Sequence, residues 1–238
     1  MPENLTVFIP TLLDGLPNTV AATAGGIVLT IVLAFGAGLA LLSQRRPVRV
    51  VSRIYVEGFR GTSEVVQLFF LYFSLPLLIG LQLVPLWAGI LVLGLNHGAY
   101  GAEIVRGAVQ SVPRAQYEGA IALSLTPAQR MRRVILPQAV VEMIPPFNNL
   151  FIQLLKSTAL LSLITLAELT WQAQEVLVPL YNEQAFTILL TVLVMYLLLS
   201  LAITGAMRLL EWRANQMLGR RPSARSRVDA LASTTGGV

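Results

Sequence analysis

Gln67, Asn96, His97, Glu103, Lys156, Ser157 and Thr158 carry amide, imidazole, carboxylate, ammonium and hydroxyl groups inside or beside long apolar runs. An ionisable group in a bilayer costs about 2.5–3.5 kcal/mol on insertion scales, so Lys156 calls for a partner or water. Counting about 1.5 Å per residue inward from Pro146 places Lys156 about 15 Å deep. The same count from Pro85 brings Asn96 and His97 to a similar depth on the neighbouring span. This convergence predicts a polar cavity lined by Gln67, Asn96, His97, Lys156, Ser157 and Thr158, with Glu103 nearer its inner end. Packing is the competing reading: Lys156 pairs with Glu103, while Asn96 and His97 satisfy backbone carbonyls. His97 has the titration range of a pH switch, but a single buried imidazole is expected to act as a neutral hydrogen-bonding group.

The elements that must position these groups are membrane spans. The chain has 238 residues, 55% hydrophobic and 12% charged, which is a membrane composition. Uncharged or nearly uncharged runs predict five spans, at about 16–42, 54–82, 86–107, 147–167 and 184–207. Pro145 and Pro146 are expected to open the fourth, since proline is tolerated in a first helical turn. Residues 1–15 read as a short lead, and a start of Pro2, Glu3 and Asn4 lacks the basic region of a cleavable signal peptide. Gly25, Gly26, Gly36 and Gly38 in the first span predict a face that meets protein instead of lipid.

Charge orients the spans. Net charge is +5, and of 17 basic residues all but Lys156 fall in segments read as cytoplasmic. The positive-inside rule then puts the N-terminus outside and the C-terminus in the cytoplasm, and accounts for the basicity without nucleic acid. An outer segment, 168–183, carries three acidic residues and no basic one. Residues 213–238 read as a basic, then Ser/Thr/Gly-rich disordered tail. With no Cys and one His, disulfides, thiolate metal sites and zinc chemistry are excluded.

Between the third and fourth spans lies a polar insert, 117–137, YEGAIALSLTPAQRMRRVILP. Glu118 to Leu125 can form a short helix. Thr126 then reads as an N-cap with Pro127 in the first turn of a second helix carrying Arg130, Arg132 and Arg133. Gly119 and Ala120 are small enough for a partner to approach closely, and Glu118 offers a carboxylate. An ordinary loop lying on lipid headgroups is the alternative.

This insert resembles the coupling loop of ATP-binding-cassette importer permeases, whose pattern is EAA, three residues, Gly, nine residues, Ile, any residue, Leu-Pro. The spacing holds at Glu118-Gly119-Ala120, Ser124, Val134 and Leu136-Pro137, with Gly119, Ser124 and Val134 departing in type. The run Gly58-Phe59-Arg60-Gly61-Thr62-Ser63 is similar to the FRGTP segment of polar amino-acid permeases (the histidine, glutamine and arginine type), with Ser63 in place of Pro. LLKSTALLSLI is similar to their LLKxTSLVSxI. Within that family the runs RGTS, LNHGAYGAE and STALLSLITLAELTWQAQ most resemble ectoine/hydroxyectoine permeases.

The resemblance implies an all-α membrane protein with the type I importer permease fold, in the bacterial cytoplasmic membrane. It implies ATPase coupling through Glu118, Gly119, Ala120, Ser124, Arg132, Arg133 and Pro137, and a translocation path along the polar residues named first. Its implied partners are two cytoplasmic ATP-binding subunits, a second permease subunit, identical or sister, and an extracytoplasmic solute-binding protein. No GxxxxGK[ST] loop occurs in the chain, so ATP and Mg are expected in the partner ATPase and no cofactor here. An ion-coupled carrier or channel subunit is the alternative, against which stand the lack of an inverted repeat and an elbow without purpose. No constellation supports a membrane enzyme.

Overall fold

The computed structural model describes residues 2–80 and 82–217, and those residues are helical throughout apart from short turns. In chain order the helices are α1 (Pro2–Leu41), α2 (Arg46–Arg60), α3 (Glu64–Phe69), α4 (Leu75–Ile79), α5 (Pro85–Ser111), α6 (Arg114–Ala122), α7 (Pro127–Arg130), α8 (Leu136–Ser157), α9 (Leu169–Trp171), α10 (Val178–Leu180) and α11 (Ala185–Met217). By length and composition, Phe8–Leu41, Pro127–Ile164 and Asn182–Gln216 can each cross a membrane, and a bent pair, Arg46–Arg60 with Glu64–Leu78, makes a fourth. Helix α5 has 27 residues, long enough to span, but carries Asn96, His97, Glu103 and Arg106.

The core is the seam between α1 and α5, extended by α8. Small residues make it close. A Cβ at Gly94, Gly98 or Gly101 would stand within 2.8 Å of Leu29, Leu33 and Ala34 respectively, and one at Gly38 within 2.7 Å of the Ala102 carbonyl. The small face predicted for the first span therefore meets protein at Gly25, Gly26 and Gly38, whereas Gly36 has open space beside it. Helix α11 instead presents Leu193, Leu197, Leu198 and Leu201 outward, as a lipid-facing helix does.

Several predicted boundaries change. The lead 1–15 continues α1 from Pro2. The second span is not one helix from 54: its two arms meet at a bend of 103°. Pro145 and Pro146 lie inside α8 and do not open it. Buried Met143, Phe147 and Leu150 on either side hold the helix through the proline pair, so packing overrides a local start signal. The continuous helical run of which α8 is part begins at the Thr126 cap of α7 and ends in a tight-turned segment, Thr158–Ile164. At the other end α11 extends to Met217, beyond both the predicted span end and the start of the predicted tail; residues 218–238 lie outside the described residues.

Three prolines share one device. A wide turn of five or six residues, Phe70–Ser74, Met131–Ile135 and Gln172–Leu177, ends one residue short of Leu75-Pro76, Leu136-Pro137 and Val178-Pro179. In each, the N–H before the proline reaches five residues back, Leu75 to Phe70, Leu136 to Met131 and Val178 to Ala173. Proline lacks an N–H and its ring clashes with the carbonyl four residues earlier. Widening the turn relieves that clash without ending the helix.

Candidate functional site

The elbow at 117–137 is built by local rules. Thr126 Oγ1 accepts from the Gln129 N–H at 3.3 Å, the Gln129 side chain accepts from the Thr126 N–H at 3.0 Å, and Pro127 occupies the first turn. The preceding α6 ends in a reciprocal motif, with the Leu125 N–H on the Ala120 carbonyl and the Ser124 N–H on the Ile121 carbonyl. That motif needs a left-handed residue, and Ser124 supplies it at φ 55°. Glycine is the usual residue there, which gives physical meaning to the glycine of the family pattern. Glu118, Gly119, Ser124, Arg132, Arg133 and Pro137 are exposed, as are the apolar tips Ile121 and Leu123. Ala120 is buried, so it holds α6 to the bundle and is not open to a partner.

From Thr126 one continuous rod, Pro127–Ile164, runs to the polar residues. Near its far end Ser157 Oγ donates to Glu64 Oε2 at 3.0 Å, and the other Glu64 oxygen stands 3.5 Å from His97 Nδ1. His97 is also bound through Nδ1 to the Leu93 carbonyl at 3.0 Å, while its Nε2 has no hydrogen-bond partner. Glu64 is not among the residues predicted to line the cavity. The rule that singled out Lys156, an ionisable group at membrane depth, applies equally to it.

Gln67 and Asn96 meet as expected, but around a different task. Gln67 Nε2 donates to the Phe59 carbonyl at 2.9 Å and to Thr62 Oγ1 at 2.6 Å. Asn96 Nδ2 donates to the same Phe59 carbonyl at 3.2 Å and to Gln67 Oε1 at 3.1 Å. A carbonyl in the last turn of α2 has no helical partner once the chain bends, and inside a membrane it must find one. These two amides supply it. The packing reading thus holds for Asn96 and His97.

It fails for the charge pair. Glu103 accepts two bonds at Oε2 from Arg106, at 2.6 and 2.8 Å on its own helix, and Lys156 is exposed with no ion pair among the described residues. The depth count from Pro146 assumed a helix start that does not exist; Lys156 makes none of the cluster's bonds, and its neighbour Ser157 reaches Glu64 instead. Thr158 is fully buried and donates to the Leu155 carbonyl at 2.7 Å.

A second buried centre lies where the sequence predicted an outer segment. Glu168 is fully buried, accepting from the Thr170 and Trp171 N–H groups at 2.9 and 2.7 Å and from Tyr196 Oη at 2.9 Å. Burial pushes its carboxyl up, and those donors pull the other way. Helix α1 locks onto the same turn. Asn18 Nδ2 donates to the Ala167 carbonyl at 2.8 Å, and Thr19 Oγ1 accepts from the Leu169 N–H at 3.2 Å.

Two cavities flank the bend. One, about 540 Å³, is walled by apolar groups including Val51, Ile54, Phe70, Leu71 and Val92. The other, about 420 Å³, is an open groove bordered by Arg60, Tyr100, Glu103, Asn149 and Gln153.

Comparison with known proteins adds to this geometry. The family described as "Binding-protein-dependent transport system inner membrane component" matches residues 26–216. A probable amino-acid ABC transporter permease protein, y4tF of Sinorhizobium fredii (strain NBRC 101917 / NGR234), is 46% identical over 195 residues, 80% of this chain and 81% of its own. The L-cystine transport system permease protein TcyB of Bacillus subtilis (strain 168) is 38% identical over 75% of this chain and 79% of its own. Among solved structures, an amino acid ABC transporter crystallised with histidines superimposes with a TM-score of 0.79 at 30% identity, covering 88% of this chain and 97% of that one.

Proposed function

The chain belongs to the binding-protein-dependent transport system inner membrane components, and from that premise we propose that it is the permease subunit of an ATP-driven importer for a polar amino acid or amino-acid-derived compatible solute, ectoine and hydroxyectoine favoured. It is a transport component of the bacterial inner membrane without catalytic activity of its own. The observation that carries the mechanism is the rod Pro127–Ile164, which joins the exposed elbow to the bond between Ser157 and Glu64. Two cytoplasmic ATPase subunits serve a dimer of permeases, one docking on the elbow of each, at Glu118, Gly119, Ser124, Arg132 and Arg133. Their closure on ATP tilts the rod, and Ser157 carries the movement to α3 and the bend beside it, a hinge-type switch between inward and outward access.

Five crossings, by α1, the bent α2 to α4, α5, the rod and α11, with the N-terminus outside, complete this reading. Lys156 and Glu103 face the path, and Gln67, Asn96, His97, Ser157 and Thr158 brace its wall. An extracytoplasmic binding protein delivers the cargo. The preference for ectoine rests on the runs RGTS, LNHGAYGAE and STALLSLITLAELTWQAQ, and the relatives that transport amino acids support the wider class.

The test is purification from native membrane in mild detergent with mass spectrometry of what accompanies the chain, then uptake into proteoliposomes of ectoine, hydroxyectoine, L-glutamine and L-cystine. Recovery of an ATPase and a solute-binding protein, with ATP-dependent uptake of ectoine above the others, is expected. Uptake of only the amino acids would move the substrate to that class. Uptake driven by an ion gradient without ATP would replace the importer by a carrier.

A further inference from the structure

Helix α2 has three faces. On one, Ser52 and Val56 are buried, and Val56 packs with Leu41 and Ala102. On the next, Arg46, Arg49 and Arg53 recur at helical spacing and are exposed. The third carries Val51 and Ile54, each 67% exposed, beside the apolar cavity of about 540 Å³ that lies between the two arms of the 103° bend. Phe70 lines the same cavity from the other arm and is also exposed. The polar side chains that border this space are already engaged. Tyr55 Oη donates to the Leu95 carbonyl at 2.7 Å, and Thr62 Oγ1 to the Gly58 carbonyl at 2.8 Å. Gln67 is bound at both ends, to Thr62 Oγ1 and to Asn96. A polar solute would find no free side-chain partner there, so the space suits an apolar occupant.

The arginines beside it are in the opposite condition. Arg53 lies 3.5 Å from Glu57, and among the described residues no carboxylate pairs with Arg45, Arg46 or Arg49. Two arms at 103° do not both cross a bilayer. The arm Glu64–Leu78 has no charge after its first residue and crosses. Helix α2, with four arginines, lies along the inner boundary, where the charge bias of the chain puts it. Arginine then reaches the headgroup layer while Val51 and Ile54 meet the acyl chains. A second copy fits this face poorly, because a two-fold contact would set Arg46 and Arg49 against the same cations.

We infer that the crook of the bend binds one anionic phospholipid of the inner leaflet: Arg46 and Arg49 take its phosphate, and an acyl chain fills the cavity against Val51, Ile54 and Phe70. The lipid closes the open side of the bend and ties its two arms together, so that the seating of α2 depends on the charge of the surrounding membrane.

The experiment reconstitutes the whole transporter in phosphatidylcholine vesicles that carry a trace of photoreactive lipid. The reactive group sits on the acyl chain, and the headgroup is either phosphatidylglycerol or phosphatidylcholine. After illumination the labelled peptides are mapped by mass spectrometry. In the wild type, phosphatidylglycerol is expected to label the segments around Val51 and Phe70 well above phosphatidylcholine, and the excess should shrink as salt rises. Each arginine near an anionic surface contributes about fivefold, so Arg46→Gln combined with Arg49→Gln should weaken the excess about thirtyfold. Arg46→Lys with Arg49→Lys should keep most of it, and Val51→Trp should lower it by filling the cavity. Arg213→Gln, on α11, should leave it unchanged. Equal labelling by the two lipids in the wild type would overturn the site, and that result requires no variant to fold. A loss in Arg213→Gln as large as in the α2 pair would also overturn it, as a general attraction of cations. The chain has no cysteine, so Val51→Cys places one thiol on each permease. A disulfide between two such copies would show that a second copy, and not a lipid, covers this face.

Discussion

Ser157 Oγ donates to Glu64 Oε2 at 3.0 Å across 93 residues of sequence, joining the far end of the rod from the elbow to the first residue of α3. A hydroxyl bonded to a carboxylate is a charge-assisted contact when the acid is ionised, and Glu64 has little solvent to replace it.

Glu64→Ala and Ser157→Ala should each destabilise the assembled complex, and their effects should not add. A double-mutant cycle on unfolding in detergent is expected to return a coupling of about 1–2 kcal/mol. Additive losses would mean that the two groups act separately. In transport, both variants should hydrolyse ATP with reduced cargo movement per ATP.

Two non-glycine residues hold left-handed conformations at helix ends, Ser124 at φ 55° and Thr165 at φ 62°. Left-handed backbone costs an L-residue about 1–2 kcal/mol, and a β-branched one is the worse placed. Ser124→Gly and Thr165→Gly should therefore each stabilise by up to about 1 kcal/mol, Thr165→Gly by more, offset in part by the freedom glycine gains when unfolded. Melting of the purified complex measures this, and a lower melting temperature in both variants would contradict the reading.

A Cβ at Gly15 would fall 2.6 Å from the backbone carbonyl carbon of Glu168, whereas one at Gly107 would meet nothing within 4 Å. Gly15→Ala should lower stability by about 1–3 kcal/mol through forced displacement of backbone. Gly107→Ala, in the body of α5, should raise it by about 0.5–1 kcal/mol through helix propensity. Opposite signs in the same unfolding assay are the expected result; equal effects would refute close packing at Gly15.

Burial raises the Glu168 carboxyl, so relative to the unfolded chain the native state favours the neutral acid. The stability this group contributes is complete below the carboxyl value of the unfolded chain, and it declines as pH rises through the higher native value. Wild-type melting temperature should fall over that window and Glu168→Gln should flatten the fall. A wild type that gains stability across the same rise would show that the hydrogen-bond donors outweigh burial.

What the sequence disclosed was mostly local. The Thr126 cap and the Pro127 start were legible because a capping box is written in four consecutive residues. Pro85 opens α5 by its place in a first helical turn, without a side-chain cap. The pair Pro145-Pro146 misled, since burial of Met143, Phe147 and Leu150 is a tertiary fact that local propensity does not contain. Pairing of Glu103 with Arg106 is legible in their spacing of three, whereas depth on neighbouring spans does not say which charges meet. Glu64 was visible as an acid in an apolar run. Its partners, Ser157 and His97, were not, because they depend on where a 103° bend returns the chain.

The wide turns before Pro76, Pro137 and Pro179 have a bearing on how these helices tolerate change in length. Each stretches one turn by a residue, so the side chains ahead of it are rotated by about 100° from the phase a regular helix would give them. Removing a residue from a spanning helix ordinarily turns one half of its faces away from their neighbours. At 131–135 the same removal, made together with Pro137→Ala, would cancel an offset already present and leave the helix on either side facing as it does now. Here proline acts as the bookmark of an inserted residue, and its position tells where the chain can be shortened without being rewound.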